Sequence, residues 1–278
     1  MDRKTTEQIK IKEYKMQNSI ISWLGGKRLL RKEIIPIIPK HNVYCEVFGG
    51  AGWVLFGKSN EKKDWAIPKD GHYRYAEIYN DFNSELVNFW KYIKHHPDAF
   101  VAELNEYIIS RELFTDFKNN HHDRTELERA VLFYYLLTMS YGSQSKSFVV
   151  KDDKSLPLRA LDKVKQATER LKNVYVENLD FETLVTKYDS DTTFFYVDPP
   201  YYKRENFYKR DNVGSFDGHE RLANVLKNIK GKFILSYNDE TYIRELYSDF
   251  HIKEVNAPYS VSKKRIEVKE LIVANYEI

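Results

Sequence analysis

Val43-Tyr44-Cys45-Glu46-Val47-Phe48-Gly49-Gly50-Ala51-Gly52-Trp53-Val54-Leu55-Phe56-Gly57 is the stretch on which the fold turns. Val43 to Val47 is a short apolar run closed by glycines, the pattern of a strand buried on both faces, and Trp53 to Gly57 then opens a helix. Outward from it, Tyr73 to Tyr79 reads as a second strand. Asn83 and Ser84 can cap the helix that follows, which carries Leu86, Val87, Phe89, Trp90 and Ile93 on one face. Strand, helix, strand, helix is the beginning of a parallel sheet. From about Pro97 to Lys172 the pattern is helical only. Strand-like stretches resume at Val174 to Val176, Thr193 to Val197, Phe233 to Tyr237, Phe250 to Val255 and Val268 to Tyr276, the last two as a hairpin-like pair. The expected fold is therefore α/β: a Rossmann-like, mostly parallel sheet with an antiparallel C-terminal strand, formed by residues 15–96 and 173–278, with a helical insertion at 97–172.

With 278 residues, 42% of them hydrophobic and 31% charged, the chain can bury a core for one large or two small domains, which excludes a disordered tail or a disulfide-stapled miniature. The longest apolar stretch, Val131 to Leu137, is far below the roughly 18 to 20 residues of a membrane span, and Met1 to Lys15 is too polar for a signal peptide. A cytoplasmic protein without a membrane partner is expected. Cys45 is the single cysteine, and no Cys/His group has zinc-ligand spacing, so neither a disulfide nor a metal is expected. The net charge of +3 decides little, but its distribution is uneven. Residues 1–40 hold ten Lys/Arg against four Asp/Glu, and Tyr202 to Arg210 holds Lys203, Arg204, Lys209 and Arg210 against Glu205. Tyrosines and phenylalanines lie among these basic residues, a mixture that suits phosphates and bases, although amphipathic tyrosines also serve as ordinary surface.

The chemistry concentrates at strand ends. Glu46 to Gly52 closes the first strand in a glycine turn, where the backbone of an open parallel sheet can approach a ligand. Asp81 ends the next strand and is placed to take two ribose hydroxyls, or to begin a helix. The strongest signal is Asp198-Pro199-Pro200-Tyr201, directly after the apolar strand Thr193 to Val197. Its prolines remove backbone donors and leave carbonyl oxygens and a carboxylate as acceptors beside an aromatic ring, an array suited to a planar amino group. Accepting both hydrogens of adenine's exocyclic amine at Asp198 and the Pro199 carbonyl favours a pyramidal nitrogen whose lone pair can attack. Tyr201 is expected to stack on the base, offsetting part of the cost of flipping it from a duplex. A competing pattern is Gly52-Trp53-Val54-Leu55-Phe56-Gly57-Lys58-Ser59, formally a P-loop, with Asp198 as its magnesium aspartate. Here Trp53 to Phe56 is an apolar helical turn and Ser59 to Asp64 is polar throughout, the reverse of what a P-loop ATPase needs.

At these residues the chain resembles the Dam-type adenine-N6 DNA methyltransferases, which use S-adenosylmethionine. Trp23-Leu24-Gly25-Gly26-Lys27 is similar to the family's N-terminal segment, Phe48 to Gly52 to its methionine-binding turn, and Asn80-Asp81-Phe82-Asn83 to its ribose-binding segment. Leu179-Asp180-Phe181 resembles the stretch along the cofactor adenine, and Leu235-Ser236-Tyr237-Asn238 a late strand of the same sheet. The order also matches, over roughly Ile20 to Tyr276. The resemblance implies cofactor contacts at Trp23, Lys27, Phe48, Gly50, Asp81, Asp180, Phe181 and Asp198, with Asp198 to Tyr201 at the target base. It also implies double-stranded DNA as partner and target recognition by the insertion. Where Dam enzymes carry Asn-Gly with a nearby arginine, this chain reads Tyr141-Gly142-Ser143-Gln144-Ser145-Lys146-Ser147-Phe148, so a GATC target is not implied. Gln144, with Asn119 or Asn120, can read an adenine edge and Lys146 a guanine or phosphate, while Lys203, Arg204, Lys263, Lys264 and Arg265 are candidates for the DNA backbone. A related Pro-Pro-Tyr turn also serves methylases of RNA or protein amides. The active site is expected to be complete in one chain, and restriction-modification is the expected biological setting.

Overall fold

The structure is a computed structural model that describes residues 16–23, 25–120, 123–150, 161–203, 216–261 and 264–278, with backbone alone at 257–261 and 264–268. A one-turn helix α1 (Arg31–Ile34) precedes β1 (Val43–Glu46), whose glycine turn leads into α2 (Trp53–Gly57). Another single turn, α3 (Lys62–Trp65), is followed by β2 (Ala76–Asn80) and α4 (Ser84–His95). The Asn83 side chain caps α4 by accepting from the Glu85 and Leu86 amides, and the apolar face expected from the sequence is buried.

Helices α5 (Pro97–Asn105), α6 (Arg111–Asn119), α7 (Glu126–Thr138) and α8 (Leu161–Leu171) come next. A reciprocal Thr125–Glu128 capping box starts α7. This helix is apolar almost all round because it is covered on two sides. Val131 and Tyr134 face the main core, whereas Leu132 and Tyr135 join Phe114, Phe117 and Met139 in a smaller cluster. The chain then alternates again through β3 (Val174–Glu177), α9 (Phe181–Tyr188), β4 (Thr193–Val197), α10 (His219–Lys227), β5 (Lys232–Asn238), α11 (Thr241–Leu246), β6 (His251–Val261) and β7 (Lys264–Ala274).

The strands form one sheet in the order β3-β2-β1-β4-β5-β7-β6. β3, β2, β1, β4 and β5 are parallel, and β7 is antiparallel to both β5 and β6. Cys45 pairs in register with Ile78 on one side and Phe195 on the other. Alternate residues feed two cores. Tyr44, Phe194, Tyr196 and Ile272 pack with Phe89, Trp90, Val131 and Leu171, while Cys45, Phe195, Phe233 and Val273 pack with Leu184, Leu222 and Ile243. Helices thus cover both faces, which explains why these strands read as continuous apolar runs. The chain proceeds from β1 toward one edge and restarts at β4 toward the other, so β1 and β4 flank the switch point where open sheets bind ligands.

Two boundaries differ from the sequence reading. β2 starts at Ala76, because Tyr73 lies on an exposed loop after a turn at Asp70 and Gly71, both in the left-handed region. The final hairpin extends to Val261↔Lys264, well past the apolar run that ends at Val255; backbone pairing continues where hydrophobic pattern stops.

A buried charge cluster ties the helices to the sheet. Arg170 of α8 grips both oxygens of Glu77 on β2, at 2.6 and 2.9 Å, and donates to the Leu55 carbonyl of α2 at 2.7 Å. Lys58 completes it, 2.8 Å from Glu77. Burial alone would raise the Glu77 carboxyl, but Lys58 and Arg170 overcome it and hold the pKa at about 2. Removing one partner strands a charge, so Arg170→Met is expected to lower unfolding stability by about 3–5 kcal/mol in urea melts at neutral pH. The part of that stability carried by Glu77 is complete above its unfolded pKa of roughly 4.3 and lost as pH falls toward 2.

Candidate active site

The glycine turn is held by contacts that leave no room for side chains. Gly49 donates to the Asn80 carbonyl at 2.7 Å, and a Cβ on it would lie 2.2 Å from the Tyr79 ring. Gly50 has φ +51°, a left-handed conformation, and its carbonyl accepts from Tyr79 at 2.6 Å and Trp90 at 3.3 Å. Its amide donates to Asp81 Oδ2 at 2.8 Å while Oδ1 takes the Asn83 amide at 2.8 Å. Asp81 is raised above the ordinary carboxylate range by burial. Beside it, Asn80 donates to the Val47 and Leu179 carbonyls and accepts from the Leu179 amide, clamping three strand ends together.

These ends open on a cavity of about 340 Å³. Trp23, Lys27, Phe48, Gly50, Asp81, Asp180, Phe181 and Asp198, the residues expected at a cofactor, all line it. Phe48 and Phe181 have ring centroids 5.7 Å apart, and Phe216 meets Phe48 edge-on at 5.7 Å, giving an aromatic wall. Asp180 caps α9 through the Glu182 amide and also receives both terminal nitrogens of Arg221, at 3.0 and 2.8 Å; burial raises its pKa but these bonds bring it below the usual range. Arg221 in turn stands 4.1 Å over the Phe181 ring. Among the described residues four aspartates, Asp81, Asp180, Asp198 and Asp217, border the cavity beside Glu46, which burial keeps protonated at neutral pH, against two cations, Lys27 and Arg221, each already ion-paired. The balance favours a positively charged ligand.

Asp198 follows the fully buried β4. Its Oδ1 lies 2.9 Å from Lys27 Nζ and accepts from Ser236 at 3.0 Å. Burial pushes its pKa up to about 6, with Lys27 and Ser236 opposing the rise. The Pro200 carbonyl accepts from Tyr237, which is also hydrogen-bonded to His219. Tyr201 is only 4% exposed and donates to Glu270 at 2.8 Å. Its ring packs on Tyr237, centroids 5.7 Å apart, with Lys27 Nζ 4.5 Å from its centroid. The face expected to stack on a base is covered in this arrangement.

Of the residues expected at DNA, the structure describes the side chains of Gln144, Lys146 and Lys203, together with Asn119 and Asn120. Gln144 and Lys146 lie in the loop after α7, Gln144 partly buried and Lys146 exposed. Asn120 is engaged by Asp116 and Asn119 is exposed. Lys203 is exposed and paired with Glu240 at 2.9 Å. Arg204 and Lys263 lie outside the described residues, as do the side chains of Lys264 and Arg265. The P-loop reading is overturned. Lys58 follows α2 rather than starting it, is 0% exposed, and its ammonium is enclosed by Glu77 and the rings of Tyr44, Trp65 and Tyr75, where no phosphate reaches it.

Sequence reasoning left several members of the site unassigned. Glu46 is buried at the end of β1, raised to about 8 by burial, and accepts from Tyr44 and the Leu55 amide; its place before the glycine turn was the available signal. Ser236 stood inside a quoted motif. Glu270, 69 residues from Tyr201, carried no local signal.

The family described as D12 class N6 adenine-specific DNA methyltransferase matches residues 23–261. The chain is 28% identical to "Type II methyltransferase M1.LlaDCHI" of Lactococcus lactis subsp. cremoris, over 91% of this chain and 94% of that protein. It is 24% identical to the "DNA adenine methylase" of Vibrio cholerae O395, over 93% and 96%, and 24% identical to that of Escherichia coli K12, over 93% and 95%.

Gly49→Ala tests the turn. The new methyl must displace Tyr79, releasing the Gly50 carbonyl, and an overpacking cost of about 1–3 kcal/mol is expected in urea melts, with weaker binding of S-adenosylhomocysteine by titration calorimetry.

Proposed function

The chain belongs to the D12 class of N6 adenine-specific DNA methyltransferases, and from this we propose how its own residues carry out the reaction. It methylates adenine in DNA, and membership implies S-adenosylmethionine as methyl donor. The cavity fits that molecule: an aromatic wall for a purine, a glycine turn for close approach, and an excess of carboxylates for a cation. In our reading Phe48, Phe181 and Asp180 hold the adenine end, Asp81 the ribose, and Trp23, Gly50 and the floor around Glu46 the methionine end. When bound, the donor supplies an electrophilic methyl group on a sulfonium.

Asp198 carries the assignment of the other reactant. It borders the cavity at the carboxyl end of β4, and among the described residues no hydrogen bond ends on the neighbouring Pro199 carbonyl. The two acceptors take the hydrogens of an adenine amine flipped from duplex DNA, turning its lone pair toward the methyl carbon. With the donor bound, the amine nitrogen would take its methyl group as the C–S bond breaks, the electron pair of that bond staying on sulfur. With a pKa near 6, Asp198 is ionised at neutral pH and can take the departing amine proton before passing it to water. Tyr201 anchors the turn through Glu270.

We assign target recognition to the helical block at 97–172, with Gln144 and Lys146 toward the bases and Lys203, Arg204, Lys263, Lys264 and Arg265 toward phosphates. We place all of these active-site residues within one chain. The name of the Lactococcus relative supports a role as the modification partner of a restriction system.

Transfer of labelled methyl groups to duplex DNA by wild type and Asp198→Ala tests the reading. Loss of about 10²–10³ in rate with unchanged thermal unfolding is expected. A mutant that keeps its activity contradicts it.

A further inference from the structure

The carboxylate of Asp198 is held asymmetrically. Lys27 Nζ and Ser236 Oγ approach from opposite segments of the chain, one before β1 and one on β5, yet both end on Oδ1. Among the described residues no hydrogen bond reaches Oδ2. Two donors on one oxygen fix the rotation of a carboxylate and direct its other oxygen outward, here at the border of the cavity. Lys27 is itself immobilised. It is 4% exposed, donates to the Gly25 carbonyl at 2.7 Å and lies over the Tyr201 ring. A single ammonium therefore joins the N-terminal segment, the carboxylate and the tyrosine of the turn.

We propose that Lys27, with Ser236, is the positioning residue of the methyl-transfer site: it occupies Asp198 Oδ1 so that Oδ2 is presented, ionised, to the target amine. This departs from the cofactor contact that the family resemblance implies for Lys27, and it rests on the reading of Asp198 given above. The electrostatic surroundings support the need for such a cation. Burial, the Glu270 carboxylate on β7, Glu46 on β1 and the Tyr196 hydroxyl on β4 all face the Asp198 region without supplying positive charge, and Tyr201 is spent on Glu270. Lys27 is the cation that opposes them. Ser236 adds a neutral donor and no charge.

The sign of the pH effect follows. The ionised carboxylate is the working form, so activity falls as pH drops through its pKa. Without Lys27 the ionised form loses its counter-charge and the pKa rises. The kcat–pH profile on duplex DNA, at saturating S-adenosylmethionine, is measured for wild type, Lys27→Met, Lys27→Arg and Ser236→Ala. For Lys27→Met the acid limb is expected to move upward by about one unit or more, while the KM for S-adenosylmethionine changes by less than about threefold. Lys27→Arg should restore the limb to near its wild-type position, and Ser236→Ala, which removes a neutral donor but no charge, should lower kcat and move the limb upward by less than Lys27→Met does. The Ser236 variant keeps the test available if Lys27→Met folds poorly. An unmoved limb in Lys27→Met overturns the proposal, whether the loss appears as a raised KM for S-adenosylmethionine or as tighter duplex binding from an obstruction removed. A limb that moves as far with Ser236→Ala as with Lys27→Met overturns it as well. The assignment of Asp198 fails separately, and only if Asp198→Ala remains active.

Discussion

The parallel pairing of β1 with β4, buried on both faces, is the constraint from which the rest of the molecule follows. Their register brings the carboxyl ends of the two strands side by side, with Glu46 opposite Tyr196 and Asp198 two residues beyond. The chain leaves β1 and β4 toward opposite edges of the sheet. A glycine turn from one strand and a proline turn from the other can then face the same cavity. One is built to let a ligand approach backbone, the other to offer acceptors, and a two-substrate reaction needs both next to each other.

The buried charges serve this geometry in two different ways. Lys58 and Arg170 pair with Glu77 on β2, and through the Leu55 carbonyl Arg170 fixes the short helix that follows the glycine turn. The Leu55 amide continues the line to Glu46. At the cavity the balance is different: among the described residues Asp198 has one cation against burial and a neighbouring carboxylate, so its proton affinity lies near neutrality instead of far below it. A fully neutralised carboxylate would be a poor acceptor for a leaving proton. One without a cation would be protonated and offer no acceptor pair.

Much of this was legible in the sequence because it was written locally. The strand Thr193 to Val197 and its Asp-Pro-Pro-Tyr turn lie where they were read, and Asn83 caps its helix as its position suggested. Long-range partners were not legible. Nothing near Tyr201 announces Glu270, which reaches it only because β7 runs antiparallel beside β5. Nor did anything local show that the Tyr201 ring, expected to stack on a base, packs beside Tyr237 and Lys27. Lys58 shows the converse: the spacing matches a phosphate loop, the polar run after it already argues against one, and the partner that makes it buried and structural is Glu77 on another strand. The hairpin ends were underestimated since hydrophobic pattern records burial, not pairing.

The central claim is that this chain modifies the exocyclic nitrogen of adenine in DNA. Single-molecule sequencing of DNA from cells expressing it, beside cells expressing Asp198→Ala, measures base and site together. The account predicts N6-methyladenine at one recurring sequence in the first and unmodified DNA in the second. Methylated cytosine, or N6-methyladenine persisting with the mutant in a host that has none of its own, would contradict it.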